Sequence, residues 1–135
     1  MDGDSIGVIH LTEARLPVTQ SMRDGLMARA HGGSQSAITP ATFAPERFAD
    51  SLPVFGDLLT TAGGTVWVVA PSWAGHAPAS MTAYTLRGAR LGAVQLPQGF
   101  TPLAVTDSAV AGYLMDASDV ATVAVYRLRA GSGGR

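Results

Sequence analysis

The feature that most constrains this chain is a run of short β-type segments that fills its second half. From residue 54 onward, stretches rich in Val, Thr, Leu and aromatic residues alternate with turn-forming Gly, Pro, Asp and Ser. The pattern predicts seven antiparallel strands, at residues 55–61, 65–70, 80–87, 91–96, 102–106, 109–115 and 120–128. Short strands at such regular spacing are typical of sandwiches, barrels and propeller blades. We therefore expect a mostly β fold.

One of these segments is predicted to lie inside a sheet. Residues 65–70 read Thr-Val-Trp-Val-Val-Ala and are apolar on both faces. This is typical of a strand that has neighbours on both sides and packed layers above and below it. We expect Trp67, in the middle of the segment, to be largely buried.

The part of the chain before these strands predicts a further strand and one or two short helices. Residues 5–11 read as a short buried strand. Residues 22–30 have a helical apolar period, and Ser21 is a candidate N-terminal cap. A second short helix is expected with Pro45 in its first turn, where the missing N–H has no cost.

Composition excludes several classes of protein. The net charge is −1, and the nine cationic residues are all Arg, scattered along the chain. Because nucleic-acid binding asks for a basic stripe, we expect no nucleic-acid partner. There is no Cys, which excludes disulfides and thiolate metal sites. No apolar stretch approaches the roughly 18 residues of a membrane helix, and the N-terminus lacks the pattern of a signal peptide.

Residues that could carry chemistry do not form a recognisable site. His10, His31 and His76 lack the spacing of metal ligands. Asp116 and Asp119 bracket a turn and could be an acid/base or calcium pair, but holding the turn through backbone N–H groups is the favoured reading. No nucleophile elbow and no phosphate-binding loop occurs. We therefore predict no catalytic residue, no metal and no cofactor.

Two residues of the loop 71–79 are candidate ligand contacts. Trp73 is predicted to be the more exposed of the two tryptophans, because it lies in a loop rather than a strand. His76 follows three positions later and adds a polar ring to the same loop.

The order of motifs in the second half resembles a known family. The segments that carry the resemblance are Gly-Thr-Val-Trp-Val at 64–68, residues 84–94, Leu-Pro-Gln-Gly-Phe at 96–100, residues 112–116 and residues 120–128. This order is similar to that of the C-terminal blades of bacterial six-bladed β-propeller proteins of the NHL/TolB-like kind. One departure is that Leu86-Arg87-Gly88 stands where the family's blade turn has an aspartate.

The resemblance implies a fold of about two antiparallel propeller-type blades, an incomplete propeller, because the matching stretch, about residues 52–128, holds roughly two blades of about 40–45 residues. The expected organisation is a single domain, 1–135, with a strand in 1–12, a helical and loop linker at 18–52, a blade at 54–96, a partial blade at 102–128 and a disordered tail at 130–135. Full-length proteins of this kind are often exported, while the compartment of this chain is left open.

The function expected from these observations is a non-catalytic binding or scaffold module of unknown ligand, the C-terminal part of a β-propeller. An alternative is a fragment of a propeller hydrolase or lyase, in which ligands from several blades hold a metal on the central axis. A further alternative is a truncated reading frame without independent function. The expected partner is a protein, or a second copy bound through open sheet edges, since few charges protect them.

Overall fold

Two antiparallel sheets, each built from consecutive strands, form the main body of the molecule. The computed structural model describes residues 8–11, 14–32, 49–73, 76–116, 118 and 120–129. Its elements are α1 (Gln20–Gly32), β1 (Asp57–Thr60), β2 (Thr65–Val69), β3 (Ser80–Thr85), β4 (Arg90–Gln95), β5 (Phe100–Val105), β6 (Ala109–Met115) and β7 (Ala121–Arg127). The predicted mostly β fold with a preceding helix is confirmed.

Each predicted strand of the second half is present, and the strands divide into two meanders. Sheet 1 has the order β1-β2-β3-β4 and sheet 2 the order β5-β6-β7. Strand β2 is an interior strand, as its two apolar faces predicted. Strand β5 begins at Phe100, earlier than expected, because Gly99 takes the turn with a φ of 78°. A φ in this region strains any residue with a side chain, so glycine is required there.

The two sheets pack face to face around a small apolar core. Val69 and Met81 of sheet 1 and Phe100 and Val110 of sheet 2 are at most 2% exposed. Phe100 also packs edge-to-face against Tyr126, with ring centroids 5.0 Å apart. An edge-to-face contact is favourable because the edge of an aromatic ring is partly positive and its face is partly negative. Phe100 therefore links the inner face of sheet 2 to the core.

Trp67 lies at the rim of this core rather than inside it. It lies two residues before Val69, on the same inner face of sheet 1, and packs against the buried cluster. Most of its surface is covered, in agreement with the expectation of a largely buried ring. Its Nε1 is out of contact with solvent and has no hydrogen-bond partner among the described residues.

The opposite face of sheet 1 is covered by the N-terminal part of the chain. Val68 and Tyr84, on this face, are 6% and 7% exposed. Backbone hydrogen bonds join Val18 to Asp50 and Leu52 to Leu16 and tie the covering segments together. Sheet 1 thus has packed layers on both faces, which explains its doubly apolar central strand.

Expectations for the N-terminal part are met only for the first helix. Helix α1 begins before the predicted start, because the Thr19 hydroxyl, not Ser21, accepts the Met22 N–H at 3.3 Å. Residues 8–11 belong to no strand, and residues 5–7 of the expected strand lie outside the described part. Leu52, expected near the end of a second helix, is not helical and is buried, and the expected helix start at Pro45 lies outside the described residues. No helix in the described ranges is long and apolar enough to cross a membrane.

Gly112 lies on β6 where β5 is too close to leave room for a side chain. A Cβ built on Gly112 would overlap the Thr101 carbonyl oxygen and stand 2.7 Å from Cζ of Phe100. The pairing register shifts between Pro102 and Ala104, directly opposite. Only a residue without a side chain lets the ring of Phe100 reach the core here.

We expect Gly112→Ala to lower the free energy of unfolding by more than about 2 kcal/mol, because the ring of Phe100 and the backbone of β5 must both move. The matched control is Gly92→Ala in β4, where an added Cβ has no atom within 4 Å. That change should be neutral or slightly stabilising. Chemical denaturation of both variants measures the difference, and equal effects would contradict the close packing described for Gly112.

Candidate functional site

Trp73 and His76 lie together beside helix α1. Their backbones form an isolated antiparallel bridge, in which the His76 N–H donates to the Trp73 carbonyl at 2.7 Å. The Trp73 indole Nε1–H donates to the Met22 carbonyl of α1 at 3.1 Å. Trp73 is thus partly buried against the helix, and its greater exposure relative to Trp67 stays a prediction. Its indole ring also ties α1 to the loop that follows β2.

The two residues nevertheless line one cleft, which we call the helix cleft. It lies between α1 and the ends of β2 and β3 and has a volume of about 510 Å³.

 The helix cleft is lined mainly by apolar groups, including Met22, Leu52 and Pro71, with the exposed His76 at its side. Such a lining suits a small apolar group with one polar atom, and ligand binding by Trp73 and His76 stays a prediction.

A second cleft, the sheet cleft, opens between the rim of sheet 1 and the end of sheet 2. It has a volume of about 570 Å³, and Trp67, Leu91 and Val94 lie on its sheet 1 side. Asp107 and Arg129 contribute the charged groups from sheet 2. The cleft is open and both charged side chains are exposed. Solvent therefore screens the charges, and they do not by themselves define a ligand.

The most unusual surface is the face of sheet 2 that points away from sheet 1, which we call the outer face. Strand pairing places on it Thr101, Ala104, Ala109, Ala111, Tyr113, Met115, Ala121, Val123, Val125 and Arg127, with Leu103 in the adjoining bulge. Val123 is 81% exposed, Val125 66% and Leu103 61%. Within the described part of the chain, this sheet face has no covering layer. Contiguous exposed apolar residues of this kind mark interaction surfaces.

Sequence reasoning predicted open, weakly charged edges in this region, including the uncharged segment 120–125, but did not assign these side chains to one face of a sheet. The signal was present in the alternation of residues 120–128, where both faces of the strand are apolar. An apolar outer face is expected for a strand packed on two sides. In β7 one side packs inward through Ala124 and Tyr126, while Val123 and Val125 face outward without cover.

Asp116 holds a turn, as the favoured reading of this residue predicted. Its Oδ1 accepts the backbone N–H groups of Ser118 at 2.8 Å and Val120 at 2.9 Å. Asp119, its proposed partner, lies outside the described residues. Among the residues that the structure describes, no three His, Asp or Glu side chains come together as a metal site would require.

The hydrogen bond of Trp73 gives a testable difference between the two tryptophans. We expect Trp73→Phe to lower the free energy of unfolding by about 1 kcal/mol, because the Met22 carbonyl loses its indole donor. The matched control is Trp67→Phe, whose Nε1 has no described hydrogen-bond partner to lose. Thermal or urea unfolding measures both, and an equal loss in the two variants would mean that the bond to the helix contributes nothing.

Comparison of the chain with protein-family models, with curated proteins and with solved structures finds no match. Function is therefore inferred from the two clefts and from the outer face of sheet 2. Of these three surfaces, the outer face is the least expected on an isolated folded chain in water, because it exposes contiguous apolar side chains.

Proposed function

We propose that the chain is a non-catalytic binding or scaffold module of two propeller-type blades, and that it binds the β-sheet of a protein partner through the outer face of sheet 2. The observation that carries this proposal is the difference between the two sheets. Sheet 1 has packed layers on both faces, whereas sheet 2 has one packed face and one apolar face without described cover.

The blade interpretation is supported by the way in which the two meanders stack. Propeller blades are antiparallel sheets of four consecutive strands that pack face to face with their neighbours. Sheet 1 has this number of strands and sheet 2 has one fewer. The first strands of the two sheets, β1 and β5, also contact each other. In stacked repeats the corresponding strands of neighbouring units lie next to each other, as β1 and β5 do here.

The chemistry of the outer face favours a sheet as its partner. The face is uncharged except for Arg127 at one end, and its β6 row includes the small residues Ala109 and Ala111 beside the exposed Val123 and Val125 of β7. Small and branched apolar side chains on a pleated surface interdigitate well with a second sheet about 10 Å away. We therefore expect an apolar, uncharged sheet face on the partner.

In the absence of that partner, two copies should stack through their outer faces at micromolar concentration. We expect the double variant Leu103→Lys with Met115→Lys to weaken this stacking at least about tenfold, because two charges would have to be buried in it. Its melting temperature should change little, since both side chains are already exposed in the single chain. Sedimentation velocity over a concentration series measures the association.

The matched control places the same two charges on exposed leucines of sheet 1, in the variant Leu58→Lys with Leu91→Lys. These residues are 49% and 59% exposed and do not belong to the outer face of sheet 2. Stacking that survives in this control and is lost in the first variant supports the proposal. Stacking that is unaffected by lysines at Leu103 and Met115 would contradict it.

A further inference from the structure

The four edge strands of the two sheets differ in how they are protected against pairing with another chain. Strand β1 is only four residues long and contains Asp57. Strand β4 begins with Arg90 and contains Gly92, and β5 contains Pro102 at its bulge. Short length, charge, proline and bulges are the devices by which proteins block sheet edges.

Strand β7 has none of these devices before its last residue. Its sequence, Ala-Thr-Val-Ala-Val-Tyr-Arg, spans seven residues without proline or glycine, and its pairing with β6 has no register shift. Arg127 carries the only charge in the strand. A long, regular and uncharged edge is the kind that accepts another strand.

Hydrogen bonds at the two ends of β7 define which backbone groups form its free edge. The Leu128 N–H donates to the Ser108 carbonyl at 2.8 Å, and the Asp116 N–H donates to the Val120 carbonyl at 3.1 Å. Residues 120 and 128 therefore point their backbone groups towards β6, and so do the even-numbered residues between them. Over the ranges that the structure describes, the free edge consists of the backbone N–H and C=O groups of Ala121, Val123, Val125 and Arg127.

We propose that this free edge pairs antiparallel with β7 of a second copy, about a two-fold axis at Ala124. In this register Val123 of each copy lies opposite Val125 of the other, and Ala121 lies opposite Arg127. All four outward residues of each copy then form hydrogen-bonded pairs. The two copies of sheet 2 become one continuous sheet with their outer faces on the same side. This inference goes beyond the proposed function, because it concerns the strand edge and does not require the outer face to bind anything.

Charge at the ends of β7 identifies the second copy as the occupant. Asp116 holds the turn before the strand, whereas Arg127 and Arg129 lie at and beyond its end, and all three side chains are exposed. Antiparallel pairing brings the arginine end of one copy towards the Asp116 turn of the other, at both ends of the interface. Parallel pairing would instead bring like charges together. The edge is therefore complementary to itself only in the antiparallel arrangement.

The test uses the Leu103→Lys, Met115→Lys chain, in which stacking through the outer face is blocked. In that background we expect sedimentation to show a dimer at micromolar concentration. Adding Val125→Pro should raise the dissociation constant at least about tenfold, because each copy loses an outward N–H donor. The matched control is Ala93→Pro, which removes an outward N–H from the β4 edge and should leave the dimer unchanged.

A second variant addresses the charges without altering the strand. Arg129→Glu lies beyond β7, so it should preserve the fold and weaken the dimer by placing an acidic group near the partner's Asp116 turn. A monomer in the lysine background, a dimer that survives Val125→Pro, or a dimer that Arg129→Glu does not weaken would each overturn the inference. None of these results bears on stacking through the outer face, which the Leu103 and Met115 variant tests separately.

Discussion

The contact on which the rest of the structure depends is the insertion of Phe100 between the two sheets. Its ring is completely buried and lies in one cluster with Val69, Met81 and Val110. It can reach this position only because Gly112 leaves room for it on the neighbouring strand. In a chain of this size the sheet-to-sheet core is small, so a single aromatic residue of about 150–250 Å² accounts for a large share of it. This contact joins the inner face of sheet 2 to the inner face of sheet 1.

The layers are arranged unequally, and this inequality is the basis of the functional proposal. N-terminal segments cover one face of sheet 1 and sheet 2 covers the other, so the buried Val68 and Val69 of β2 point to opposite covered faces. Strand β7 of sheet 2 is likewise apolar on both faces, but in the described part of the chain only one face of sheet 2 is covered. Val123 and Val125 are therefore apolar, as core residues are, but exposed, as surface residues are.

Sequence patterns predicted the strands well because strand period and turn chemistry are local properties. The turn at Gly88, with a φ of 83°, and the turn held by Asp116 are both determined by residues within a few positions. Sequence reasoning did not foresee the hydrogen bond of Trp73, because that bond depends on a helix carbonyl 51 residues away. It missed the cap at Thr19 because two neighbouring hydroxyl residues offered the same local signal. The outer face of sheet 2 could not be identified before the packing direction of β7 was known.

The meander order of the strands also has a consequence for synthesis. Each strand pairs with the strand next to it in the chain, so both sheets can form from local contacts, which favours rapid folding. Sheet 1 is complete before Phe100 has been added by the ribosome. During that interval Trp67, Val69 and Met81 have no covering layer, and a nascent chain is then prone to aggregate. The proline-containing connection brings Phe100 soon after β4, but the inner face of sheet 1 is fully covered only once β7, which ends at Arg127, has been made.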